Sequence, residues 1–503
     1  MEMKIVIPQG TPVFGVDVGN GFGKVSLLSD YKKDPQFMLP ESLRSGMPST
    51  AYAAPDGTIS VYGVKQKKAA RAVSAVKTRL REDYITLEES RGKPYRVCPC
   101  DVYAAIARDL VYLANERRSA AGEDPVYRMV LTYPASFRHE PDLLGKLKRS
   151  VESVKMGGHA LQVCGMLSEP AAVAVDYLYY MKNLDENPIA AEKYTVLVYD
   201  LGHGTFDTAV VTAYANREAD CDLICQDGDP EVGGRKFDEL LYTELCAQVR
   251  KKAGAKAAFD REQLRGLAVE MKHELSQKHL SEMDFTAADK DILLSITREE
   301  FEALIMPQIL RTLEKVQGML DEAAQRNVSV DAIVLSGGSS QMPLVRKALT
   351  ELTGNRIPVS IYRPSVGVAY GAARAAHGLY GEEAPIKQHC ERSCGVALEG
   401  NTLFLLNEDA VLPCVSNELK FISSDTGRSR IHLRRARDRM PGAEKADYGQ
   451  CEDILHMFME IPPRVNCSLT LRMDENRCIF VDCKLPDGSV ITQSTFQYEE
   501  QER

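Results

Sequence analysis

Two segments of this chain are built the same way, and that repetition limits the fold more than any other feature. FGVDVGNGFGKVSLL (14–28) runs an apolar strand into Asp17, turns through Gly19, Gly21 and Gly23, and continues into a second strand after Lys24. VLVYDLGHGTFDTAVV (196–211) runs an apolar strand into Asp200, passes Gly202, Gly204 and Thr205, then enters another apolar strand through Asp207. Glycines at such a turn let backbone N–H groups approach an anion with no Cβ in the way. One such unit reads equally well as a plain glycine hairpin. Two in one chain point to two related lobes facing one ligand.

A third loop fits the same ligand. DAIVLSGGSSQMPLVRKAL (331–349) carries a buried strand into Gly337, Gly338 and Ser339 and then a helix, and a helix N-terminus suits an anionic group. None of the loops is Gly-x-x-x-x-Gly-Lys-[Ser/Thr], which excludes a P-loop. VGNGFG is followed by a strand rather than a helix, which argues against a dinucleotide fingerprint.

Between the loops, β-rich runs alternate with helical stretches. Strands are expected at 13–18, 24–28, 127–132, 195–200, 207–212 and 331–335. Helices are expected at 101–121, 142–154, 169–183, 236–253, 261–279, 298–325, 341–353 and 366–378. That pattern predicts an α/β body over 1–378. Segment 379–392, LYGEEAPIKQHCER, is polar, contains Pro385 and reads as a linker. From 393 to 503 the helical period is gone. Short strand-like runs at 394–398, 402–406, 418–423, 428–434, 454–461, 467–473 and 477–484 predict a small β-sandwich without a helical lid.

Composition narrows the function. The chain is 44% hydrophobic and 26% charged, enough for a large core, and its net charge of -9 offers no broad basic surface for nucleic acid. No apolar run is long enough to span a membrane, and the N-terminus lacks a signal-peptide pattern, so a cytoplasmic protein with reduced thiols is expected. The thirteen cysteines include no paired Cys-x-x-Cys spacing of the kind a zinc site uses.

In this order the three loops resemble the actin-like ATPase superfamily, and most closely the 70 kDa heat-shock (DnaK-like) chaperones. DLGHGTFD resembles that family's second phosphate motif, SGGSSQMP its adenosine motif and VGVAYGAARAA (366–376) the helix after it. LTYPASF (131–137) and LSEPAAVAV (167–175) are similar to its inter-lobe segments. AVKTRL (75–80) is similar to the segment with its catalytic lysine, VGGRKFDELL (232–241) to its Gly-Gly-x-x-Phe-Asp loop, and EMKHELS (270–276) to the helix beside the nucleoside. FMEIPPRVNCSLTLRMDENRCIFVDC (458–483) resembles the end of its substrate-binding β domain. The resemblance implies a two-lobed, ribonuclease-H-like ATPase body that takes ATP or ADP with Mg2+, followed by the sandwich. It implies that Asp17 and Asp200 place the magnesium ion through water. Gly19, Asn20, Gly21 and Lys24, with Gly202, His203, Gly204 and Thr205, would surround the phosphates. Lys77 would contact the γ-phosphate and the attacking water, and Glu169 would order that water. Gly233, Gly234, Lys272, Ser276, Gly337, Gly338 and Ser339 would hold phosphate, ribose and adenine. The implied partners are an unfolded or specific polypeptide at the β domain, a J-domain co-chaperone and a nucleotide-exchange factor.

Departures from the family accompany the resemblance. Asn20 and Gly21 stand where the chaperones have two threonines, and Asp17-x-Gly19-x-Gly21-x-x-Lys24 is closer to actin's own first loop, which keeps a filament-forming ATPase as the alternative. His203 replaces a glycine, and it reads equally as an outward-facing side chain or a pH-sensitive donor. Pro134 is kept, but Asp142 occupies the place of the family's coupling arginine. RSRIHLRRARDR (428–439) carries six arginines and reads as a strand with arginines on both faces, poorly suited to apolar burial. It reads as a solvated strand and loop or as a surface for an acidic peptide or another anionic partner, and with no aromatic residues interleaved in it nucleic acid is disfavoured.

Overall fold

Phe14–Val18 and Phe22–Leu27 form an antiparallel hairpin in which Asp17 lies opposite Lys24 and Val18 opposite Gly23. The second strand therefore begins before Lys24, at Phe22, and the lysine belongs to the strand rather than to the turn preceding it. The structure, a computed structural model, describes residues 10–30, 33–61, 70–88, 94–137, 140–183, 191–214, 221–377, 386–390, 392–474 and 478–494. The chain divides into two compact units. One comprises residues 1–136, 150–221 and 225–385, and the other 137–149, 222–224 and 386–503.

The first unit holds two sheets with the same strand order. In the first, Gln162–Ser168 and Arg128–Tyr133 lie on one side of Phe14–Val18, and Phe22–Leu27 and Gln36–Phe37 on the other. In the second, Val359–Ile361 and Ala332–Ser336 lie on one side of Lys193–Leu201, and Phe206–Tyr214 and Cys221–Asp229 on the other. Each sheet is centred on a strand that ends in an aspartate and a glycine loop. That strand pairs antiparallel with its hairpin partner and parallel with the strand on its other side. Phe14–Val18 is buried throughout and Lys193–Leu201 from Thr195 onward, as befits apolar runs covered on both faces.

Eight α-helices lie among the described residues: α1 (Pro99–Ala120), α2 (Pro141–Ser153), most of which belongs to the second unit, α3 (Glu169–Asn183), α4 (Gly234–Ala253), α5 (Arg261–Leu275), α6 (Arg298–Gln325), α7 (Pro343–Leu352) and α8 (Gly367–His377). Their ends follow local chemistry. Pro99 starts α1, where its missing N–H costs nothing, and Thr297 with Glu300 closes a capping box on α6. The expected helix 261–279 stops at Leu275, because Leu280–Ala287 turns back on Lys290–Thr297 as a hairpin. Its turn uses Ala288 and Asp289 at positive φ, with no glycine to announce it.

Helices α3 and α8 meet closely because Gly371 faces Ala172, where a Cβ would run into the Ala172 backbone. A buried ionic knot locks that pair. Asp176 of α3, fully buried, accepts from Arg374 Nε of α8 (2.8 Å), Tyr362 Oη (2.9 Å) and Arg363 Nη1 (3.3 Å), while the Arg374 guanidinium lies 3.9 Å from the centre of the Tyr179 ring. Removing one member of such a cluster leaves buried charge without a partner.

The second unit is β-rich. One sheet runs Lys445–Asp447, Asn401–Leu406, Cys394–Leu398, Arg428–Ala436, Cys451–Glu460. Another runs Cys414–Val415, Asn466–Met473, Ile479–Lys484, Val490–Ser494, with Leu419–Ile422 also on Asn466–Met473. One apolar cluster takes Val396, Leu406, Ile431, Leu433, Met457 and Met459 from the first and Leu469, Leu471, Val481 and Cys483 from the second. The segment 428–439 reads as a strand with arginines on both faces, and within Arg428–Ala436 the arginines do divide, Arg428 and Arg430 exposed and Arg434 buried, while the apolar positions between them still reach a core. Ser429, Ile431 and Leu433 point to the buried side and Arg428 and Arg430 to the exposed side. At the step from Leu433 to Arg434 the partner strand skips Ile454, a bulge on Cys451–Glu460 that leaves Leu433 opposite Leu455 and Arg434 opposite Asp453. Of the expected linker 379–392, residues 379–385 and 391 lie outside the described residues, and Ile386–Lys387 forms a short strand. All thirteen cysteines are free thiols.

Asp176→Ala should destabilise the first unit by up to about 3–5 kcal/mol, since two guanidinium groups lose their buried counter-ion and keep only the half-exposed Asp34. Thermal unfolding of the variant against wild type checks this, and an unchanged midpoint would show that the knot contributes nothing.

Candidate active site

The site is assembled around a buried lysine. Ala75 takes a left-handed backbone conformation (φ 51°) and starts the short turn Val76–Arg79, which delivers Lys77 into the interior at 2% exposure. A non-glycine residue at positive φ stores strain, a common mark of functional loops. Lys77 Nζ donates to Glu169 Oε1 at 2.5 Å and lies 3.8 Å from Asp17 Oδ1. Glu169 is the first residue of α3, directly after the strand Gln162–Ser168, so the parallel sheet sets its position. Lys24 approaches Asp17 from the opposite hairpin strand, 3.7 Å from Oδ2. Thr132 Oγ1 lies 3.4 Å from Asp17 Oδ1.

The second hairpin mirrors the first, with an acid in place of the lysine. Asp200 lies opposite Asp207 across the strands, just as Asp17 lies opposite Lys24. Asp207 is buried and accepts from the backbone N–H of Ser136 at 3.3 Å. It was given no role from sequence alone. Aligning the two hairpins on Asp17 and Asp200 would have found it, because each partner stands seven positions later.

The glycine loops converge in space. A Cβ on Gly204 would collide with the Asn20 side chain, one on Gly21 would meet the His203 ring at 3.3 Å, and one on Gly233 would strike the backbone of Gly204 and Thr205. Gly234 N–H donates to Gly202 O (3.0 Å), and Arg235 N–H to His203 O (2.6 Å). A Cβ on Gly234 would lie 2.5 Å from Ser339 Oγ, and one on Gly337, itself at φ 80°, 2.5 Å from Asp200 Oδ1. Lys272 of α5 reaches the same place, 2.7 Å from Asp238 Oδ1 and 3.4 Å from Gly234 O. Four segments remote in sequence thus touch through positions where a side chain would intrude. Gly19 sits inside the first turn against Phe22 O, and Gly338 has open space on its Cβ side. Ser276 caps α5 one turn beyond Lys272, its Oγ donating to Lys272 O at 3.3 Å. Asp238, the ion-pair partner of Lys272, lies within the motif VGGRKFDELL but was not singled out by its sequence.

The electrostatics show acids crowded out of water. Burial raises Glu169 to about 8, with Lys77 opposing the rise and Asp17 and Asp207 adding to it. Burial likewise lifts Asp200 to about 7, helped by Asp207 and Asp17, and Asp207 to about 6. Burial alone would lower Lys77, but Glu169 and Asp17 outweigh it and hold its ammonium above the usual lysine value. Desolvation and the charge on Lys272 depress His203, which favours a neutral ring beside Gly21. Carboxylates this close with raised proton affinity suit a divalent cation with its water shell, which would relieve their mutual repulsion.

Fold and site together define an α/β protein with a glycine-lined, acid-rich centre shared by two like sheets. The Hsp70 family model (Hsp70 protein) matches residues 63–424, and the chain belongs to the Hsp70 family. Lys77, Glu169, the second glycine hairpin, Gly233–Gly234, Lys272 and Gly337–Ser339 lie within the matched span, and the first glycine loop lies ahead of it. Membership makes this an ATP-binding protein of chaperone type. Members of the family are ATPases that use ATP or ADP with Mg2+ and bind unfolded polypeptides.

A carboxyl group whose pKa is raised by folding holds its proton more tightly in the folded chain. Its contribution therefore favours folding at low pH and is lost as pH rises through the folded value. With Asp207, Asp200 and Glu169 at about 6, 7 and 8, the nucleotide-free protein should lose thermal stability across that interval. Asp200→Asn should flatten the loss and raise the midpoint at about pH 8. Calorimetry over pH checks this, and a flat wild-type profile would contradict it.

Proposed function

We propose that the chain hydrolyses ATP in a two-lobed, actin-like body, and that its nucleotide state gates a polypeptide held by a C-terminal β-sandwich. The observation that carries the ATPase half is the convergence of the glycine loops on one centre with Lys77, Glu169, Asp17 and Asp200. The repeated strand order supports two lobes of common design. The apolar cluster shared by two antiparallel sheets supports the sandwich.

The reaction is attack of water on the γ-phosphoryl group, for which positioning and charge do most of the work. Lys77 holds the γ-phosphate and the attacking water, and Glu169 and Asp17 keep its ammonium charged and fixed. Glu169 orders the water. Backbone N–H groups of Gly19–Gly21 and Gly202–Thr205 hold phosphate oxygens, and Lys24 adds positive charge from the first hairpin. Lys272, Ser276 and Gly337–Ser339 orient the nucleoside. Asp17 and Asp200 would hold Mg2+ through its waters, and the ion when bound neutralises phosphate charge.

The test is single-turnover ATP hydrolysis by the full chain, with and without a mixture of unfolded peptides. Lys77→Ala should lower the rate about 10²–10³-fold, the scale of losing one charge-stabilising donor. Peptide should raise the wild-type rate. Hydrolysis indifferent to Lys77 would remove the assignment of the site, and a Lys77-dependent rate indifferent to peptide would remove the gating.

A further inference from the structure

On the exposed face of the second unit's first sheet, two histidines and an aspartate meet. His432 and His456 are directly opposed across the antiparallel strands Arg428–Ala436 and Cys451–Glu460, with ring centroids 3.6 Å apart and planes 26° apart. The bulge at Ile454 brings Asp453 into line with them, so that Oδ1 lies 2.9 Å from His432 Nε2 and Oδ2 3.7 Å from His456 Nε2. Without the bulge, strict alternation would set the acid out of register with the histidine pair.

We infer that His432, Asp453 and His456 form a binding site for a transition-series dication of the zinc class. The donor atoms all lie within 4.8 Å of one another, and the separations from His432 Nε2 to Oδ1 and from His456 Nε2 to Oδ2 lie on either side of the ~3.3 Å expected between ligands of a tetrahedral ion at bond lengths of ~2.0–2.1 Å. Imidazole nitrogens with one carboxylate suit zinc, cobalt or nickel, whereas magnesium and calcium prefer all-oxygen shells. His432 Nε2 is buried and lies 2.9 Å from Asp453 Oδ1, a contact that an ion bound between the two would take over.

The surroundings hold the acid in place. Arg434, 3% exposed, is pinned by Asp453 Oδ1 (2.7 Å), Tyr448 O (2.8 Å) and Cys451 O (2.9 Å), and its guanidinium lies 3.4 Å from the centre of the Tyr448 ring. It fixes the carboxylate through Oδ1 and leaves Oδ2 directed at His456, the arrangement in which an outer partner orients a ligand. Arg430 works the other way. Its Nη2 lies 2.8 Å from His456 Nδ1, and since a guanidinium only donates, Nδ1 accepts and the ring proton sits on Nε2. Metal binding at Nε2 moves that proton to Nδ1 and releases Arg430, which is exposed and free to swing into water. Three protein ligands leave a coordination position for water or for a donor from a bound partner.

Titration calorimetry of the nucleotide-free full chain with Zn2+ under reducing conditions tests this, with thiol-bound zinc common to every variant as the baseline. Wild type should show a binding event that His456→Asn and His432→Asn each weaken at least tenfold and that Arg430→Ala strengthens, and Mg2+ should not reproduce it. If the barely exposed His432 fails to fold when replaced, His456→Asn, 39% exposed, decides alone. Identical zinc titrations for wild type and His456→Asn would overturn the assignment.

Discussion

The ammonium of Lys77, buried between Glu169 and Asp17, is the contact on which the rest of the first unit depends. A lysine taken out of water is tolerated only when its charge is answered, and the desolvation cost is several kcal/mol per ion. The answer is drawn from three distant segments: the strand end at Asp17, the start of α3 at Glu169, and the second hairpin, whose Asp207 adds to the field on the lysine. Each of those residues sits where a strand of one of the two sheets begins or ends, so the sheets must take their observed order for the charges to meet. The acids outnumber the cations that face them, and the surplus is expressed as raised proton affinity at Glu169, Asp200 and Asp207. A centre like this is costly to fold and useful once folded, because it offers fixed negative charge to a dication and fixed positive charge to a phosphate.

Much of this was legible in the sequence because it rests on short-range grammar. A strand ending in Asp and a Gly-x-Gly turn specifies a hairpin, and the glycines mark where another segment must come close. The structure shows what comes close: Asn20 against Gly204, Ser339 against Gly234, Asp200 against Gly337. What sequence could not give was pairing set by register. The expected strand 24–28 already held Lys24, but that it faces Asp17, and that Asp207 occupies the equivalent place in the second hairpin, follows only from the pairing. The hairpin Leu280–Thr297 was missed because Ala288 and Asp289 adopt the turn conformation that glycine usually signals.

The arginine-rich strand shows that a charged pattern still leaves room for a core. Read with strict alternation, RSRIHLRRARDR puts charge on both faces. In the structure Ile431 and Leu433 enter the apolar cluster, while Arg434, opposite the bulge at Ile454 of the partner strand, is buried on carbonyl oxygens and Asp453. The basic run is therefore mostly consumed by local acids and carbonyls. Arg435 pairs with Glu452, Arg439 with Asp409 and Arg428 with Glu460. Four of the six arginines in these twelve residues are thus paired with acids of the same unit.

The central claim is that two like hairpins hold one nucleotide and its metal between them, and equilibrium binding of ATP with and without Mg2+ tests it most directly. The account predicts that Mg2+ tightens ATP binding to the wild-type chain, and that replacing Asp17 and Asp200 together by asparagine abolishes the Mg2+ effect while ATP alone still binds. An equal Mg2+ effect in wild type and the double variant would show that these aspartates do not face the metal, and the convergence of the two hairpins would then need another explanation.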